Sequence, residues 1–137
     1  MLRSILAVVA GFLVIGALAG LTDLAVRAMV PALFAPNGGI TDPTLLTVTE
    51  VYVFIYATFG CWLCARIARR RPMLHALVLG VLGLIFNVVG TSMTWQLYPA
   101  WYHIVALFLV IPAAWLGGWI AERQLENRPA GLAGATA

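Results

Sequence analysis

Charge is what this chain has least of. Only 9% of its 137 residues are Asp, Glu, Lys or Arg, against roughly a quarter in an ordinary soluble domain, and lysine is absent. So few charges cannot clothe a water-facing surface, which excludes a conventional soluble domain. The net charge of +3 is no footprint for nucleic acid either, because the arginines that produce it lie mainly at the ends of apolar runs. Cysteine is almost as scarce: Cys61 and Cys64, both inside an apolar run, provide neither a secreted disulfide framework nor the ligand set of a structural zinc site. A nucleotide-binding loop, a metal-binding motif and any polar stretch long enough for a catalytic domain are missing too. No cofactor and no metal are expected, and a non-enzymatic role is favoured.

Apolar residues fill the space instead. They make up 63% of the sequence, and the mean hydropathy is +0.98. About 20 apolar residues carry a helix across a bilayer, and four such runs fit, over about 4–30, 44–69, 73–97 and 101–122. The predicted fold is an all-α membrane protein, an antiparallel bundle of four transmembrane helices forming one domain over 1–126. Residues 127–137, rich in Ala and Gly, are expected to be a disordered tail. A signal-peptide reading of the first run rests on Ala17-Leu18-Ala19, which resembles a cleavage site. It fails because the apolar pattern continues to Val30.

Arginine sets the predicted orientation. Arg66, Arg69, Arg70 and Arg71 put four of the eight basic residues into one short break between spans, and such loops stay on the cytoplasmic side. With Arg3 and Arg123 near the two ends, both termini are expected inside, and the loop Pro31 to Asp42, free of basic residues, outside. The expected location is a bacterial inner membrane, with the lipid bilayer as the immediate partner.

Polar residues inside spans are costly and therefore informative. Asp23 and Arg27, four apart, can pair along one helix face near the outer end. Asp42 before Pro43 reads as an N-cap with proline at the first helical position. Glu50 lies in the outer part of the second span and shares a face with Ala57, Cys61 and Cys64, a strip of small residues that suits helix contact. In the third span Gly80, Gly83, Asn87, Gly90, Thr91 and Thr94 fall near one side, a polar face expected to be buried against protein. In the fourth, His103 shares a face with Ala106, Val110, Ala113, Ala114 and Gly117, and Pro112 is expected to kink the helix. Gly16 and Gly20 form a GxxxG step that admits another helix. Trp95, Tyr98, Trp101 and Tyr102 form an interfacial belt, with no spacing that gathers rings around one cation.

Asp23, Arg27, Glu50 and His103 thus form a candidate outer polar cluster, and Asn87, Thr91 and Thr94 a candidate mid-membrane polar face. The cluster can be a salt-bridged plug or the mouth of an outward-facing pocket, and a carboxylate pair beside an imidazole can bind a proton or a divalent metal. Two other readings fail. Cys61-Trp62-Leu63-Cys64 invites comparison with quinone-linked disulfide oxidases, but there is no second thiol pair to exchange with. His75 and His103 lie at opposite membrane faces and cannot bracket one haem iron.

Trp62-Leu63, Ile67-Ala68 and Arg70 align with Trp115-Leu116, Ile120-Ala121 and Arg123 at one offset. Such an alignment suggests two related helical hairpins in parallel arrangement.

From Gly60 to His75 (GCWLCARIARRRPMLH) and from Pro99 to Gly118 (PAWYHIVALFLVIPAAWLGG), the chain resembles small uncharacterised bacterial four-span membrane proteins. That resemblance covers the last three spans and implies the same fold, with glycine or alanine usual where Cys61 and Cys64 stand here. It implies no activity. The function expected from sequence is an accessory or self-associating subunit, in a homo-oligomer or a larger membrane complex. The alternative is a small transporter or ligand-binding protein with an outward-facing polar pocket.

Overall fold

The computed structural model describes residues 2–68 and 71–127. Arg69, Arg70 and the tail from 128 onward lie outside the described residues. The described residues form four α-helices: α1 (Leu2–Met29), α2 (Pro43–Ala68), α3 (Pro72–Thr94) and α4 (Ala100–Glu126). Each is long and apolar enough to cross a membrane. A short 3-10 turn, Pro31–Leu33, follows α1.

Helix limits follow local chemistry. Asp42 caps α2 as the sequence predicts, its Oδ1 accepting from the Leu45 N–H at 2.8 Å. Between α1 and α2 the chain turns through a single bridge between Phe34 and Ile40. Gly38 sits there at φ +88°, a left-handed conformation open to glycine at little cost. Two limits differ from expectation. α3 stops at Thr94 because Trp95 to Tyr98 form a turn, with the Leu97 N–H bonded to the Thr94 carbonyl at 2.8 Å. α4 runs to Glu126, beyond the apolar run, because its last turns stay helical after leaving the apolar zone. The helix is continuous through Pro112.

Sequential helices run antiparallel, and α2 and α4 run side by side in the same direction. Their contact is lined by small residues. Gly117 lies against the Thr58 carbonyl, where an added Cβ would fall 2.8 Å from the Trp62 nitrogen and 2.9 Å from the Cys61 Cβ. Gly11 of α1 meets Gly60 and Cys64 in the same way, and Gly80 of α3 meets Ala114. Without a hydrophobic force between helices in lipid, such backbone approach supplies the van der Waals contact that holds spans together.

The buried strips of these two helices share a register. Gly60, Cys61, Cys64, Ala65 and Ala68 on α2 correspond, at one constant offset, to Ala113, Ala114, Gly117, Gly118 and Ala121 on α4. That offset is the one that aligns Trp62-Leu63 with Trp115-Leu116, and it also pairs Glu50 with His103. Both of these are buried, at 7% and 3% exposure.

The buried small residues of α2 and α4 lie in one half of the bundle, the half that ends at Arg66 and Arg123. Toward the other end the helices separate. Gly83 has only Val110 within contact range, at 3.8 Å from an added Cβ, and Gly90 has nothing within 4 Å. The polar face of α3 therefore divides: Gly80 is buried, whereas Gly90 is exposed. Larger side chains such as Phe54, Leu109 and Val110 stand where the half nearer Arg66 and Arg123 has Gly and Ala, so the backbones cannot close and a gap remains.

Gly16 and Gly20 are exposed and face no helix of this chain, with nothing within 4 Å of an added Cβ at either position.

Candidate functional site

The gap between the halves of α2, α3 and α4 that lie away from Arg66 and Arg123 is a cavity of about 270 Å³. Glu50 lines it from α2, Asn87, Thr91 and Thr94 from α3, and Tyr102 and His103 from α4. Val53, Phe54, Ala57, Leu109 and Val110 supply apolar wall. Two residues of the outer cluster and all three of the mid-membrane face thus share one space.

The other two cluster residues lie elsewhere, which corrects the reading of a four-member group. Asp23 accepts a hydrogen bond from the Tyr52 hydroxyl. Arg27 donates to the Gly38 carbonyl at 2.9 Å and stacks 4.8 Å over the Phe34 ring. These partners replace the predicted pairing of Asp23 with Arg27. The bridge between Phe34 and Ile40 brings ring and carbonyl to the end of α1, where guanidinium stacking and a carbonyl bond hold Arg27. Asp23 and Arg27 instead line a smaller recess of about 90 Å³ with Thr49, Tyr52 and Tyr98. Tyr102 lines both spaces. In that recess burial raises the Tyr98 phenol above its usual range, with Arg27 opposing the shift and Asp23 adding to it, so its hydroxyl stays a proton donor at neutral pH.

Neither ionisable group of the main cavity is satisfied by protein. Glu50 is buried and, among the described residues, its carboxylate takes part in no hydrogen bond or ion pair. The Nε2 of His103 is buried without a hydrogen-bond partner. Buried polar groups in folded proteins are almost always paired, so a carboxylic acid on an otherwise largely apolar wall, beside an imidazole with an unpaired Nε2, marks the space as more than a packing defect.

Polar groups of α3 are partly committed. Thr91 donates to Asn87 Oδ1 at a long 3.4 Å, and Thr94 donates to the Gly90 carbonyl at 2.8 Å. The Asn87 amide N–H groups therefore remain available to the cavity.

Sequence reasoning missed the surroundings of His103. Trp95 stacks on the imidazole at 5.0 Å and 14°, and Tyr98 and Tyr102 meet its edges at 6.0 and 5.8 Å. Rings that read as an interfacial belt converge on one side chain. The signal was present, since Tyr98 and Tyr102 are four apart and Trp95 precedes a tight turn, but only the reversal of the chain at Leu97 brings Trp95 over α4. These faces orient the imidazole without giving it a hydrogen bond.

Cys61 and Cys64 are free and buried. The Cys64 thiol donates to the His75 carbonyl at 3.6 Å, and Cys61 lies under Gly117. Both act as small packing residues. Among the described residues no group of three or more His, Cys, Asp or Glu side chains can hold a metal ion.

No protein-family model matches the chain, and neither a curated protein nor a solved structure does.

Proposed function

We propose that this chain is a small multi-pass protein of the bacterial inner membrane, with both termini in the cytoplasm, that binds a small solute in a pocket opening to the outer side and serves as a transporter or ligand-binding component. The observation that carries the reading is the cavity of about 270 Å³ lined by the buried Glu50 and His103 and by Asn87, Thr91 and Thr94. Its volume is close to the lower end of ligand pockets, about 300 Å³, and its composition is typical of them: an apolar wall with a few convergent polar groups. Orientation rests on the arginines, with Arg66, Arg71 and Arg123 at one end of the bundle and Arg27 at the other. The shared register of α2 and α4 adds support, because transporters built from related hairpins place their sites at the repeat interface.

The test is ligand-linked stability. Purified protein in lipid nanodiscs is heated with a panel of small amines, amino acids, sugars and carboxylates. At least one solute is expected to stabilise the fold by about 2.7 kcal/mol when present at about 100 times its Kd. Ala106→Phe, which puts a ring into the cavity, is expected to remove that response. A panel that shifts nothing overturns the reading.

A second reading keeps the chain as a self-associating subunit, and one observation favours it: Gly16 and Gly20 present an uncovered GxxxG step on α1.

A further inference from the structure

The chemistry of the cavity wall identifies a class of ligand. We propose that the pocket takes a protonated primary amine carried on a short apolar group, with the ammonium at Glu50 and the hydrocarbon against the apolar wall. This rests on the reading of the cavity as a binding site and goes further by fixing the charge and shape of what enters.

The sign of the charge follows from the lining. Glu50 is the sole carboxylate there, and no arginine or lysine lines the space. Arg27, the cation at this end of the bundle, is held by Gly38 and Phe34 in the separate recess. An anionic ligand would meet an unbalanced carboxylate in an apolar setting, a costly arrangement. A cation relieves it.

Its type follows from the other groups. A divalent metal asks for several anionic or imidazole ligands, and the cavity supplies one carboxylate and one imidazole, with no cluster of three such groups among the described residues. A quaternary ammonium is recognised by rings converging on it, but Trp95, Tyr98 and Tyr102 already converge on His103. A primary ammonium has three N–H donors. Residues that carry acceptors line the same space: Glu50 with its carboxylate, Asn87 with an Oδ1 that takes a single 3.4 Å bond, and Thr91 with its hydroxyl oxygen. Val53, Phe54, Ala57, Leu109 and Val110 then receive the apolar part.

Calorimetry with the full chain in phosphatidylcholine nanodiscs tests this with three probes of similar shape: benzylamine, benzyl alcohol and benzyltrimethylammonium. Benzylamine is expected to bind at least ten-fold more tightly than the other two, and Glu50→Gln is expected to erase that preference. Ala106→Phe keeps Glu50 and is expected to remove benzylamine binding while its thermal unfolding transition stays cooperative, which separates loss of the site from loss of the fold. Benzyl alcohol binding as tightly as benzylamine would overturn the ammonium assignment while leaving a binding pocket. Equal binding of benzyltrimethylammonium would overturn the hydrogen-bonded geometry. Failure of all three to bind would overturn the amine assignment, while the binding reading stands or falls separately on the wider solute panel.

Discussion

Gly117→Leu is expected to leave no folded bundle in mild detergent. An added Cβ at Gly117 falls under 3 Å from the Trp62 nitrogen and the Cys61 Cβ and presses on the Thr58 carbonyl. Two of these neighbours are backbone atoms of α2, which cannot rotate aside. Overpacking by even one methylene in a tight interior costs about 1–3 kcal/mol, so Gly117→Ala alone is expected to cost that much. Leucine adds three further carbons at the same point and must force α2 and α4 apart. Because this contact joins the two helices that carry Glu50 and His103, its loss also dissolves the site. Unfolding titrations in detergent mixtures check the order: wild type most stable, Gly117→Ala lower by about 1–3 kcal/mol, Gly117→Leu unfolded throughout. Gly16→Leu is the control, since nothing lies within 4 Å there. It is expected to leave the stability of a monomer unchanged, and under the self-association reading it breaks the oligomer alone. A Gly117→Leu protein as stable as wild type would contradict the described contact.

The second large effect has the opposite sign. Glu50→Leu is expected to stabilise the protein while abolishing binding. Glu50 is 7% exposed as a residue and its carboxylate lines a largely apolar wall, and a buried polar group without a compensating bond costs about 1–3 kcal/mol in proteins. Leucine has similar bulk, suits the neighbouring Val53 and Phe54, and removes that cost. A midpoint raised by a stabilisation of about 1 kcal/mol or more, together with loss of the ligand response, is the expected result. Residues kept against stability in this way are characteristic of functional sites. A clear loss of stability in Glu50→Leu would instead mean that the carboxylate holds the fold together.

The four helices were legible because their signal is one-dimensional: apolar runs of spanning length, broken by Pro36-Asn37-Gly38-Gly39, by Arg71-Pro72 and by Tyr98-Pro99. Asp42 was readable as a cap because capping needs only local chemistry. Pairing was harder. Depth along each span grouped Asp23, Arg27, Glu50 and His103 together, but depth is not azimuth, and the Phe34–Ile40 bridge that gives Arg27 its partners depends on a loop with no periodic signal. The alignment of Trp62-Leu63 with Trp115-Leu116 already contained the offset that relates Glu50 to His103. Extending it along both helices would have named that pair from sequence. The cavity itself was not legible. It exists because α3 parts from its neighbours beyond Gly83, which depends on the volumes of residues facing one another across three helices. The same holds for Gly16 and Gly20, whose spacing suits helix contact but whose face turns away from the bundle.

The central claim is that a water-accessible pocket opens from the outer face down to the polar side of α3. Thiol accessibility tests it most directly. In a chain with Cys61 and Cys64 replaced by alanine, a single Thr91→Cys is treated in intact inverted and right-side-out vesicles with a charged, membrane-impermeant methanethiosulfonate. Labelling is expected from the outer side alone, with slower labelling in the presence of benzylamine. A Thr91→Cys that resists the reagent from both sides, in a protein shown to be folded, or that reacts only from the cytoplasmic side, would contradict the account.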